Sequence, residues 1–106
     1  MSLGARYGLG KFFSEGARQV WVQLELRSWR PADLRLALDG ALGRKLSSGV
    51  LSRWMYGECR PSLRFGLLLQ DILGVEPRLW NQVPAEPFEP PALAEARRAL
   101  EVSDVA

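Results

Sequence analysis

Apolar side chains recur at helical spacing along most of this chain, and alternating strand-like runs are scarce. From about Phe12 to Ser28 they fall at Phe13, Ala17, Val20, Trp21 and Leu24, one stripe of a first helix. Val22, Leu26 and Trp29 mark a second stripe on the same segment, which predicts a helix covered on two faces. Pro31 suits the first turn of a second helix, where its missing N–H costs nothing. Leu34, Ala37, Leu38, Ala41 and Leu42 give that helix a buried side, and Gly40 and Gly43 place its end at Leu38 or at Leu42. Ser47 reads as the N-cap of a third helix, with Val50, Leu51 and Trp54 inward and Gly57 as a left-handed stop.

Pro61-Ser62 opens a fourth helix with Phe65, Leu68, Leu69, Ile72 and Leu73 as its stripe and Gly74 as its end. A short fifth helix starts at Pro77 and is anchored by Leu79 and Trp80. Residues 1–10 contain three glycines and read as a loose lead-in. Val83 to Pro91 has four prolines in nine residues, the composition of a linker. Leu93, Ala96 and Leu100 would share one face of a last short helix, which at that length needs a surface to fold on. The expected organisation is a domain over 11–82 and a Pro-rich extension over 83–106.

Charge changes this picture more than composition does. Residues 1–65 carry 11 Arg/Lys against 5 Asp/Glu, and residues 66–106 carry 3 against 7. Within 44–64 five basic residues face one acid, Glu58. A basic segment confined to one end suits a polyanion docking there. The 106 residues suffice for one core, and 47% hydrophobic content with four Trp argues for a folded chain. No apolar run reaches the roughly 18 residues of a membrane span, and the N-terminus lacks a signal-peptide core. The single cysteine, Cys59, excludes an internal disulfide and suits a reducing cytoplasm. There is no histidine, so the commonest general base and zinc ligand are missing. Neither a phosphate loop nor an acid–base constellation is visible, which argues against an enzyme and against a metal or cofactor.

The segment Leu51-Ser-Arg-Trp-Met-Tyr-Gly-Glu-Cys-Arg-Pro-Ser62, followed by Leu63 to Gly74-Val75, resembles the Cro/C1-type (XRE-like) helix-turn-helix family. That pattern runs apolar, Ser, Arg, apolar, two variable residues, Gly, three polar residues, Pro-Ser, and a helix ending Leu-Gly-Val. The resemblance covers roughly residues 31–80. It implies an all-α, compact five-helix, lambda-repressor-like domain whose second and third helices read DNA. By position, Ser48, Gly49, Ser52 and Arg53 would face base edges. Arg53 suits guanine O6 and N7, and Gly49 would allow close approach. Tyr56 and Arg60 would touch the sugar-phosphate backbone after the recognition helix, and Arg44 and Lys45 before it.

The chain departs from the pattern at three places. Arg44-Lys45 lengthen the turn before the recognition helix by about two residues. The small alanine of the second helix does not register cleanly, Asp39 being the candidate for its position, and Met55 replaces the family's Glu. The resemblance implies a bacterial, cytoplasmic transcription regulator, a repressor or accessory regulator, reading the major groove with helix 47–56. A homodimer on two half-sites follows, with the second stripe and the tail helix as candidate dimer surfaces. The other reading is a protein-interaction adaptor or antitoxin-like module whose tail binds a protein partner.

Overall fold

The computed structural model describes residues 9–47, 49–89, 91, 95, 98 and 99. Ser48, the first eight residues, and the Leu93 and Leu100 of the expected tail helix lie outside the described residues. The described chain is all-helical: α1 Glu15–Leu26, α2 Pro31–Leu42, α3 Val50–Met55 and α4 Leu63–Leu73, then a 3-10 turn over Pro77–Asn81. The segment at Pro77 is therefore a single 3-10 turn and not an α-helix. Its Trp80 is nevertheless buried, against Gly16 of α1.

Each helix ends where its backbone chemistry stops it. α1 closes through Ser28, which takes φ 56, so that Ser28 N–H reaches Glu25 O at 3.1 Å and Trp29 N–H reaches Leu24 O at 2.8 Å. This pair of bonds satisfies carbonyls that the last turn would otherwise leave open. The expected helix thus ends two residues early. Beyond the turn, Trp29 folds back against the core and does not prolong the second stripe, while Leu26 is left 73% exposed. Pro31 is the first residue of α2, and the Arg30 amide donates to the Asp33 carboxylate at 2.8 Å. Of the two expected ends for α2 the later one is adopted: the helix runs to Leu42, and Gly43 takes the left-handed conformation.

α3 stops with the same device as α1. Gly57, at φ 79, donates to Trp54 O at 3.3 Å, and Glu58 N–H reaches Arg53 O at 2.9 Å. A side chain there would strike Phe13, whose Cα lies 2.5 Å from the position of a Cβ. The lead-in to α1 is hydrogen-bonded to this corner, Gly10 N–H to Tyr56 O at 2.6 Å and Phe12 N–H to Gly57 O at 2.9 Å. Residues 9–13 are in this way built into the end of α3.

The core gathers Ala17, Val20 and Leu24 of α1 and Leu34 and Leu38 of α2. Leu51, Trp54 and Met55 of α3 meet them, with Leu69 and Leu73 of α4. α1 packs on α3 and on the 3-10 turn, and α2 packs on α4. Met55 is 2% exposed and is a core position. No helix among the described residues is long and apolar enough to cross a membrane.

The Pro-rich segment crosses α1. The Ala85 amide donates to Glu15 Oε1 at 2.8 Å, and Glu86 lies 3.9 Å from the Arg18 guanidinium. Phe88 stacks on Phe13 at 5.7 Å and leans on Trp21 at 5.9 Å. The composition of a linker here belongs to a strap.

Candidate nucleic-acid interface

The α2–α3 connection is shaped by one buried residue among exposed ones. Leu46 enters the core, its amide donates to Asp39 Oδ1 at 2.7 Å, and its carbonyl accepts from the Arg35 guanidinium at 3.3 Å. Held at side chain, amide and carbonyl, Leu46 divides the loop. Arg44 and Lys45 precede it and are exposed; Ser47 and Gly49 follow it and are exposed. Arg44 and Lys45 are thus solvent-facing cations, and Asp39 pins the turn that carries them.

Ser47 does not cap α3. The N-cap is Gly49, at φ 83, with no side-chain bond to the first turn, and Ser47 contributes its backbone carbonyl to the Val50 amide at 3.3 Å. The left-handed Gly49 turns the chain directly into the helix, so the extended geometry that a serine cap needs is absent. Of the segment 47–56 expected to form one helix, only the six residues Val50–Met55 are α-helical. Its faces separate cleanly. Leu51, Trp54 and Met55 are buried, and Ser52 and Arg53 are exposed. A Cβ at Gly49 would meet nothing within 4 Å, so what requires glycine there is the backbone angle and not crowding.

The structure leaves Arg44, Lys45, Gly49, Ser52 and Arg53 exposed, the first three on the α2–α3 loop and the last two on α3. Among the described residues none of Arg44, Lys45 and Arg53 forms an ion pair. Beside them, a cleft of about 260 Å³ lies between the start of α2 and α3, lined by Pro31, Ala32, Arg35, Ser47 and Ser52. Arg60 follows α3 in the chain and is exposed, with its guanidinium carbon 5.2 Å from the Phe12 ring centre.

Lys11 Nζ lies over the same ring, also at 5.2 Å. This second basic pair, held by cation–π attraction, is invisible in the motif because Lys11 is some fifty residues away in sequence. Arg35 is likewise a residue of this surface that the motif does not indicate. Tyr56 is placed differently. Its ring packs edge-on against Trp21 at 5.5 Å, and burial, followed by the Glu95 carboxylate, raises its hydroxyl above the usual phenol range. Tyr56 is thus half-buried and packed on α1. Ser48 lies outside the described residues.

Among the described residues no group of three or more His, Cys, Asp or Glu is placed to hold a metal ion. What the surface offers is a set of hydrogen-bond donors and fixed positive charges. Comparison with known families, with curated proteins and with solved structures gives no match for this chain.

Proposed function

We propose that this chain is a DNA-binding transcriptional regulator of the lambda-repressor-like kind, with α3 and its preceding loop as the DNA-facing surface. The observation that carries the reading is the division of α3. Leu51, Trp54 and Met55 fix one face in the core, leaving Ser52 and Arg53 outward, with the exposed Arg44 and Lys45 on the loop that precedes the helix. In this reading Arg53 takes guanine through its planar fork, and Ser52 donates to a base edge or a phosphate. Arg44, Lys45, Arg60 and Lys11 supply the sequence-independent affinity.

Gly49 serves by keeping the approach to the helix free of a side chain. A reader of this size covers few base pairs, so the reading implies two copies on half-sites about one helical turn apart. Residues 85–88 of the strap lie on α1.

The test is selection from a pool of random duplexes with the full chain at moderate salt. A recovered consensus containing guanine, lost or relaxed with Arg53→Ala, supports the reading. A bound pool as random as the input contradicts it.

A further inference from the structure

The face of α4 turned away from the core carries apolar side chains that the described residues leave exposed. α4 buries Gly66, Leu69 and Leu73, yet Leu63 is 70% exposed and Leu67 48% exposed. These two leucines border an open groove against Ala41 and Leu42 of α2. Exposed apolar side chains gathered along one groove, in contrast to single scattered ones, mark a surface that meets something.

The charges indicate what meets it. Arg64 and Asp71 line the same groove, seven residues apart on α4, one on either side of Leu67 and Leu68. Two helical turns separate them by about 10 Å along the axis, too far for a bond within the helix. Among the described residues neither forms an ion pair. An apolar centre with a cation at one end and an anion at the other is complementary to its own image turned by a two-fold axis. The antiparallel match sets Arg64 against the partner's Asp71 and Asp71 against the partner's Arg64. The described residues of the strap lie elsewhere: residues 85–88 are on α1, and the charge of Glu95 is felt at Tyr56.

We propose that α4 pairs antiparallel with α4 of a second copy of this chain, about a two-fold axis between Leu67 and Leu68. The regulator reading needs two copies, and in that sense the proposal deepens it. The pairing itself requires no DNA. It assigns Arg64 to the protein interface and removes it from the basic surface around α3.

Sedimentation equilibrium of the full chain without DNA, at tens of micromolar, tests this. The wild type is expected to be dimeric and Leu67→Asp monomeric. Arg64→Asp and Asp71→Arg, which each set like charges opposite one another, should each raise the dimer Kd roughly tenfold or more. An equimolar mixture of these two variants should recover the wild-type affinity, because a heterodimer carries only opposite-charge pairs.

All substituted side chains are exposed, and far-UV circular dichroism should show each variant folded. A wild type that stays monomeric, charge variants that associate as it does, or a mixture that fails to associate would each overturn the proposal. Loss of DNA binding by Arg53→Ala with the dimer intact leaves it standing.

Discussion

The first turn of α1 and the α2–α3 connection treat their polar groups in opposite ways. At α1, Glu15 is buried and accepts from Arg18 at 2.7 and 2.6 Å, from Gln19 at 2.8 Å and from the Ala85 amide at 2.8 Å. Every charge in that cluster faces another part of the chain. At the α2–α3 connection a single carboxylate, Asp39, fixes the backbone, and Arg44, Lys45 and Arg53 are left without an ion pair among the described residues. The first region uses its charges to hold the strap on the helix. The second keeps its charges available, which is what an electrostatic docking surface requires.

The corner joining the two regions should be the most sensitive point. Gly57→Ala places a methyl group against Phe13 and forces a left-handed backbone on an L side chain. A loss of about 3 kcal/mol or more is expected in urea unfolding. An unchanged midpoint would mean that residues 9–13 are not anchored at the end of α3.

Glu15 comes next. Hydrogen bonding from Arg18, aided by the Ala85 amide and Gln19 and opposed by burial, lowers its carboxyl from 4.5 to about 2. Because the folded value is the lower one, its contribution is complete above pH 4.5 and is lost as pH falls toward 2. Glu15→Gln should cost about 1–2 kcal/mol near neutral pH, allowing for solvent screening. It should also flatten the acid limb of the stability curve. An acid limb that keeps the wild-type shape would assign the sensitivity to other carboxylates.

Asp39→Ala should have a smaller effect on stability, about 1 kcal/mol, from the unpaired Leu46 amide. Its effect on DNA affinity should be larger than that, because the loop carrying Arg44 and Lys45 loses its pin. Equal losses in stability and affinity would show that the loop geometry is not what the bound state uses.

The legible parts of this fold are those governed by local chemistry. Pro31 at a helix start and Gly57 and Gly74 at helix ends follow from backbone freedom and adopt the expected places, and Gly43 takes the later of the two ends open to α2. The stripes of α1 and α4 follow from periodicity, as does the burial of Trp54 and Trp80. The parts that were not legible depend on contacts distant in sequence or on a choice between neighbours. Ser47 and Gly49 both suit a helix N-terminus, and only the path set by buried Leu46 selects glycine.

Nothing local in Val83–Pro91 announces that an amide at Ala85 is bonded by a carboxylate seventy residues earlier, and a proline-rich composition conceals it. Tyr56 follows α3 in sequence, yet its ring packs against Trp21 of α1. For the candidate site, the exposed set Arg44, Lys45, Ser52 and Arg53 could be read from the motif. Lys11, brought to Arg60 through Phe12, could not.

The contrast between the two regions is tested most directly by fluorescence anisotropy of a guanine-containing duplex titrated with the chain at increasing salt, beside Arg53→Ala. With roughly four phosphates neutralised per protomer, log K should fall with log salt at a slope on the order of −3 to −4 per protomer. Arg53→Ala should lose about 1–3 kcal/mol on the preferred sequence and much less on others. No binding at low salt, or binding indifferent to both salt and Arg53, would contradict the assignment of the α3 surface to DNA.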